Sequence, residues 1–189
     1  LFLICLLGVF AVTTVQAQKM KVTTASVNLD TYKETGDLEL LRSSIEAIET
    51  AMTHESSSNL AKTWRVAGQL YYQLAVLPDT LNMSDGAVDK SLDAFQKAID
   101  IEKAAGLSGK KAKQSKEAIE GIFLLKPILY TVGLKNFNSE KYAEAFKYFQ
   151  QSLDIADLAR NNPFGKSNES LPIDTNVIFA TALSAERAN

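Results

Sequence analysis

The feature that most constrains the fold of this chain is the stretch over residues 133–155, GLKNFNSEKYAEAFKYFQQSLDI. It joins the end of one helix to a second, amphipathic helix through a short polar turn. Gly133 and Ala145 lie twelve residues apart, and two small side chains at this spacing let the helices of a hairpin approach closely. Tyr142 and Phe149 supply bulk on the same buried side. The stretch therefore predicts a tightly packed helix hairpin, an interaction scaffold rather than a reaction centre.

The composition is typical of one compact domain. The 189 residues are 46% hydrophobic and 22% charged, with a formal charge of -2 at pH 7. Acidic and basic residues are interspersed, without the surplus of Lys and Arg that nucleic acid requires, so we expect no nucleic-acid partner. The richest basic run, residues 109–116, falls where a loop should enter a helix. We interpret it as a solvated helix start rather than a phosphate-binding patch.

Residues 1–17 look like a secretory signal peptide. An apolar run over residues 1–12, too short to span a bilayer with ease, is followed by the polar stretch TTVQAQ. Val15 and Ala17 suit the signal-peptidase groove, which predicts cleavage after Ala17 and a mature domain over 18–189. Because no initiator Met and no basic leader are present, we expect the sequence to begin inside the signal peptide. The alternative is a buried N-terminal helix of a cytosolic protein.

Cys5 is the only cysteine, and it would be removed with the signal peptide. The mature chain would then have no thiol for a disulfide, a zinc site or nucleophilic catalysis. Lipidation of Cys5 is disfavoured, because Ile4 precedes it where lipoprotein processing requires a small residue. The predicted location is the periplasm or the outer membrane surface, or secretion, with membrane association only through processing or partners.

Beyond residue 18 the apolar residues recur at steps of three and four, which predicts an all-α chain with short breaks. The predicted helices cover about residues 25–33, 38–52, 59–77, 86–105, 111–136, 140–160 and 175–188. Polar residues ahead of three of them are predicted N-caps: Ser58 or Asn59, Asn138 or Ser139, and Asp174. Gly106 is predicted to cap the C-terminus of the fourth helix. Pro127 predicts a kink or a break near residues 125–126.

A pattern of large, small and aromatic residues recurs in order along these helices. Its members are Trp64, Gly68, Tyr71, Phe95 and Ala98 in one hairpin and Gly133, Tyr142, Ala145 and Phe149 in the next. The pattern resembles the tetratricopeptide repeat. It departs from the family in that the first hairpin carries about eleven residues more than the usual 34, and Ser152 replaces a usual alanine. The alternative is an irregular helical bundle.

The resemblance implies an α-solenoid, a right-handed superhelix of stacked hairpins whose first helices line a concave groove. On a helix, the residue after a packing position points about 100° away. Residues directly after Trp64, Gly68 and Tyr71 should therefore leave the core. The predicted partner-binding residues are Lys62, Arg65, Gln69, Tyr72, Gln73, Tyr130 and Leu134. The alternative is that these residues form an ordinary solvated helix face.

Catalytic and metal sites are mostly excluded by composition. His54 is the only histidine, so a multi-histidine metal site is impossible and a catalytic triad would depend on one residue in a polar loop. The acidic residues are scattered over polar faces, without an apolar pocket that would raise a carboxyl pKa. We therefore predict that the chain is not an enzyme, with no catalytic residue, no metal and no cofactor.

An export signal followed by divergent repeats is similar to exported repeat proteins of Bacteroidetes-type bacteria. This resemblance implies a non-catalytic scaffold or adaptor that binds a protein or peptide in the cell envelope. The alternative function is a helical envelope protein that binds carbohydrate or another small ligand. It is disfavoured by the missing lipidation motif and by the ordinary aromatic content.

The last predicted helix presents a broad apolar surface. Val177, Ile178, Phe179 and Leu183 contribute to it, while the earlier hairpins already have their own partner helices. Since a repeat array needs a polar outer face on its terminal helix, we expect the natural chain to continue with at least one more helix.

Overall fold

The structure is a computed structural model that describes residues 20–78, 86–160 and 174–188, and all regular structure in these ranges is helical. Helix α1 covers residues 20–35. It is followed by α2 (Leu38–Thr53), the single turn α3 (Glu55–Ser58), α4 (Ala61–Ala75), α5 (Ala87–Ala104), α6 (Lys113–Asn138), α7 (Tyr142–Arg160) and α8 (Thr175–Ala188). The predicted all-α fold class is confirmed over these ranges. The predicted signal peptide over 1–17 and Cys5 lie outside them.

Two predicted helix ends are confirmed by their hydrogen bonds. Asp174 caps α8, where its Oδ1 accepts from the backbone N–H of Val177 at 3.3 Å. At the end of α5, Gly106 adopts φ 68°, and the N–H of Leu107 donates to the carbonyl of Glu102 at 3.0 Å. This left-handed glycine closes the helix because it lacks the Cβ that would clash there.

Two other predicted N-caps are wrong. Helix α4 begins after Leu60 without any side-chain cap, and the carbonyl of Ser58 instead accepts the indole N–H of Trp64 at 2.6 Å. The hydroxyl of Ser139 donates back to the carbonyl of Lys135 at 2.9 Å, so it closes the end of α6 rather than starting α7. Ser58 is the last residue of α3 and Asn59 its C-cap, so both belong to the preceding helix. The Ser139 hydroxyl bonds within the last turn of α6, a competition that short polar side chains commonly enter.

Pro127 lies inside α6, which continues without interruption from Lys113 to Asn138. The predicted break is therefore absent. Pro127 is exposed, so the backbone donor that proline lacks is missing on the side of the helix that water can reach. The buried residues of the same stretch, Leu125 and Leu129, keep the helix packed on its other side. Burial of that apolar face outweighs the loss of one hydrogen bond.

The buried apolar residues of the described ranges form three clusters, the third of which surrounds Phe149 between α6, α7 and α8. Helices α1, α2 and α4 enclose one cluster, in which Leu29, Leu41 and Leu70 are fully buried. Helices α5, α6 and α7 enclose a second, centred on Phe95. The half-buried ring of Trp64 packs against both clusters. From α2 to α8, helices adjacent in sequence pack together, and α4 also contacts α2 and α6.

Two phenylalanines sit where helices cross on glycine. The ring of Phe95, on α5, lies against Gly68 of α4 and also against Gly121 of α6. The ring of Phe149, on α7, lies against Gly133 of α6. A Cβ at Gly68 or at Gly133 would come within 2.5 Å of the facing ring, so only glycine permits these approaches without a shift.

Candidate binding cleft

A cleft of about 370 Å³ opens between α1, α4 and α6, and we call it the N-terminal cleft. Its lining residues are Lys33 from α1, Gln69, Tyr72 and Gln73 from α4, Phe95 from α5, and Glu117, Glu120, Gly121 and Leu124 from α6. Three of the predicted groove residues thus share one wall. Phe95 reaches the cleft because Gly68 and Gly121 leave room for its ring between the two helices. The ring of Phe95 is therefore the side chain that both α4 and α6 pack against at the base of the cleft.

The prediction that Arg65 leaves the core is wrong, since only 8% of the residue is exposed. Its guanidinium crosses from α4 to α6. Nε donates to Oε1 of Gln114 at 2.8 Å, and Nη1 donates to Oε1 of Gln69 at 2.7 Å. Nη1 also pairs with Oε2 of Glu117 at 3.2 Å. An arginine can be buried in this way because its fork-shaped donors are satisfied by fixed acceptors.

Nearby acids offset part of the cost of burying this cation, and the pKa of Arg65 remains below its ordinary value. Burial lowers the pKa of Arg65, while the charges of Glu117 and Asp30 raise it. Glu117 also pairs with the exposed Lys113 at 3.7 Å, one turn earlier on α6. Breaking a buried pair of this kind destabilises a fold because one charge is left without its partner. The network around Arg65 therefore fixes the positions of α4 and α6 at the cleft.

Glu102 supports the same wall from α5, and the sequence did not single it out. The residue is 6% exposed, and its carboxylate accepts from the backbone N–H of Gln114 at 3.2 Å and of Ser115 at 2.7 Å. These two donors belong to the first turn of α6, which has no side-chain cap of its own. One sequence signal was present, namely an acid in the last turn of α5, where the helix dipole favours a base.

The remaining predicted groove residues do not join this cleft. Tyr130 and Leu134 line a second cleft of about 250 Å³ between α6, α7 and α8, which we call the C-terminal cleft. Its full lining is Tyr130, Leu134, Phe137, Phe149, Asn176, Phe179, Ala180 and Leu183. Lys62 is exposed on α4 and lines neither cleft. Three residues of the predicted set thus line the N-terminal cleft and two line the C-terminal cleft, whereas Lys62 and Arg65 line neither.

The predicted repeat residues are all at least half-buried, and they differ in how far they are buried. Fully buried are Gly68, Tyr71, Phe95, Ala98, Gly133, Ala145 and Phe149, whereas Trp64 and Tyr142 are half-buried. The ring of Tyr142 meets that of Phe137 edge-on, with centroids 5.3 Å apart, and the guanidinium of Arg187 lies over both rings. Tyr71 donates its hydroxyl to Oε1 of Glu49 at 3.0 Å.

His54 has a structural role in the described chain. Its Nδ1 caps the short helix α3, where it accepts from the backbone N–H of Ser56 at 3.3 Å and lies 2.9 Å from the hydroxyl of the same residue. Within residues 20–78, 86–160 and 174–188 no three His, Cys, Asp or Glu side chains are grouped as a metal site would require. Over the same ranges no helix has the length and apolar character of a membrane span.

Comparison of the chain with protein-family models, with curated proteins and with solved structures found no match. The N-terminal cleft has the stronger claim to be a binding site, because it combines an apolar floor with several convergent polar groups.

Proposed function

We propose that this chain is a non-catalytic interaction scaffold of the tetratricopeptide type, and that it binds a peptide segment of a protein partner in the N-terminal cleft. In this proposal the helices form an α-solenoid, with α1, α4 and α6 as the first helices of successive hairpins. The proposed setting is the cell envelope, on account of the signal-like residues 1–17.

The helix packing supports the solenoid part of the proposal. From α2 onward each helix packs on its neighbour in sequence, and α4 packs on α6, as one first helix packs on the next in a stack of hairpins. The glycine and aromatic pairs Gly68 with Phe95 and Gly133 with Phe149 lie at the crossings of two successive hairpins. In each pair the glycine lies on the first helix of the hairpin and the phenylalanine on the second, as the small and aromatic residues do in the repeat.

The observation that carries the binding proposal is a set of unused polar groups beside apolar surface. The hydroxyl of Tyr72, the amide of Gln73 and the carboxylate of Glu120 line the cleft and have no hydrogen-bond or ion-pair partner among the described residues. Leu124, which is 54% exposed, lies on the same lining. A peptide offers both main-chain polar groups and apolar side chains, so it can satisfy this mixed surface.

Selection from a random peptide display library tests the proposal. Peptides that bind the wild-type protein should bind Leu124→Arg at least about tenfold more weakly, because a long charged side chain would fill the cleft. The matched control is Val76→Arg, which introduces the same charge at a site 47% exposed and outside the cleft lining. Its affinity should equal that of the wild type.

Two results would contradict the proposal. One is a library that yields no peptide sensitive to Leu124→Arg. The other is selective binding on a glycan array, lost in Leu124→Arg and kept in Val76→Arg, which would instead support the alternative of a carbohydrate-binding envelope protein.

A further inference from the structure

We propose that the N-terminal cleft holds its peptide in an extended conformation, and that the side-chain amide of Gln69 donates a hydrogen bond to a main-chain carbonyl oxygen of that peptide. This inference rests on the proposed function and adds the chemistry of the contact. Arg65 acts as the positioning residue, since it touches Gln69 and not the peptide.

The orientation of the Gln69 amide follows from the chemistry of its partner. A guanidinium group has five N–H donors and no acceptor, so it can bind only the oxygen of the carboxamide. Nη1 of Arg65 donates to Oε1 of Gln69 at 2.7 Å. The NH₂ group must therefore point away from Arg65, and Gln69 lines the cleft. Its two N–H donors are available there.

This orientation is held in place. Arg65 is bound at the same time by Gln114 and Glu117 on α6, so it cannot follow Gln69 if that side chain rotates. Rotation of the amide would leave one N–H of the buried Nη1 without its acceptor, because Glu117 pairs with Nη1 from the other helix. The donors of Gln69 are thus preorganised, and a ligand does not have to order them on binding.

The spacing along α4 favours an extended ligand. Gln69 and Gln73 are one turn apart on the cleft wall, a rise of about 6 Å along the helix. Two residues of an extended peptide span about 6.6 Å, and carbonyl groups on one side of such a chain recur every second residue. Two successive carbonyls on one edge of the peptide can therefore accept hydrogen bonds from the two amides. Arg65 orients the amide of Gln69 but not that of Gln73.

The neighbouring groups fit the alternating side chains of the same ligand. Residues of an extended chain point to opposite sides in turn. Leu124 on the α6 wall and Tyr72 on the α4 wall offer apolar surface to one set. A helical ligand would keep its carbonyl oxygens in its own hydrogen bonds and could not use the amides in this way.

The substitution Gln69→Glu tests the inference directly. It replaces the outward donors by an acceptor, while the new carboxylate can still accept the hydrogen bond of Arg65, so the fold should remain at least as stable. The probe is the tightest peptide selected from the library on the wild-type protein, and its affinity is measured by calorimetry. We expect binding about tenfold weaker, the effect of one lost hydrogen bond to a preorganised donor.

Gln73→Glu is the matched control, because it makes the same change of charge on the same wall at an amide that Arg65 does not hold. Its loss of affinity should be clearly smaller. Affinity of Gln69→Glu within about twofold of wild type would overturn the role of Gln69. An equal loss in the two variants would overturn the preorganising role of Arg65. Wild-type melting temperature in both variants excludes unfolding as the cause.

A scan of the peptide with single amide-to-ester replacements tests the acceptor. An ester carbonyl is a weaker acceptor, so one replacement should weaken binding to the wild type and have little effect on binding to Gln69→Glu. A bound peptide that is helical by NMR would overturn the inference. A peptide sensitive to Leu124→Arg but not to Gln69→Glu overturns this inference alone, whereas failure to select any cleft-binding peptide overturns the proposed function with it.

Discussion

The two phenylalanine crossings of this chain use the same pair of residue types with different results. Phe95 is enclosed by glycine on two helices, Gly68 and Gly121. Phe149 meets one glycine, Gly133, and on another side the ring of Tyr130, whose centroid is 5.7 Å away. The first ring is therefore held between two backbones, and the second between a backbone and a side chain that can rotate.

This difference extends to the clefts beside the two rings. The N-terminal cleft lies over Phe95 and carries charged and amide groups arranged around the buried Arg65. The C-terminal cleft lies beside Phe149 and is lined mainly by apolar side chains, with Phe179 69% exposed at its edge. A glycine facing a phenylalanine thus permits a close helix crossing in both places. The polarity of the cleft beside each crossing depends on the side chains of the neighbouring helices.

The largest expected difference between the two crossings is in ring deletion. Phe95→Ala should destabilise the protein by about 4 to 5 kcal/mol, because the two helix backbones cannot close on the cavity. Phe149→Ala should cost about 3 kcal/mol, because Tyr130 can move into part of the space. Chemical denaturation measures both. A larger loss for Phe149→Ala would show that the second crossing is the more rigid one.

Replacing the glycines by alanine should also destabilise the first crossing more than the second, but by a smaller margin in the free energy of unfolding than ring deletion does. Gly68→Ala and Gly121→Ala should each destabilise by about 1 to 3 kcal/mol, because Phe95 cannot move away from one glycine without approaching the other. The gain in helix propensity is the same in all three variants. For Gly133→Ala the clash is also relieved by movement of Phe149 toward Tyr130, so the net change should stay below about 1 kcal/mol. Thermal unfolding of the three variants ranks them, and equal losses would remove the distinction.

The stability of the protein should depend on pH through Tyr71, which lies on α4 close to the first crossing. Burial, together with the charge and the hydrogen bond of Glu49, raises the pKa of Tyr71, three residues after Gly68. The folded state then keeps the phenolic proton at a pH where the unfolded state, with an ordinary pKa of about 10, begins to lose it. The contribution of this group is complete below about pH 10 and is lost as the pH rises toward the folded-state pKa.

The test of this effect is Tyr71→Phe, measured by urea unfolding at a series of alkaline pH values. The stability difference between wild type and variant should shrink as the pH rises above about 10. Taking the difference removes the contributions of the other tyrosines and lysines, which both proteins share. A difference that stays constant would indicate that the Tyr71 hydroxyl titrates alike in both states.

The smallest expected effect is at the edge of the C-terminal cleft. Phe179→Ser should change the free energy of unfolding by less than about 0.5 kcal/mol, because the ring is mostly exposed and supports little packing. The matched variant is Phe137→Ser on the lining of the same cleft, whose ring contacts Tyr142 and Arg187 and which should cost more. Equal losses measured by chemical denaturation would show that Phe179 is packed in solution.

Much of the local architecture was predictable. The period of apolar residues predicted the helices, because a helix that packs on one side must repeat its buried positions every three to four residues. Gly106 and Asp174 marked helix ends, since their roles depend on the backbone of their own segment. The cap prediction at Ser139 failed because its hydroxyl has a local partner in the carbonyl of Lys135. The prediction at Ser58 failed because that residue ends the short helix α3.

What the sequence by itself determined is therefore the all-helical class, most helix positions and the interior places of Gly68, Phe95, Gly133 and Phe149. Only the tertiary structure decided that Arg65 is buried, that Gly121 completes the enclosure of Phe95 and that Glu102 caps α6. The partners concerned are far apart in the chain, with Gln114 49 residues from Arg65. Periodicity reports which face of a helix is buried, whereas the hydrogen bonds of a buried charge depend on which other helix is brought against that face.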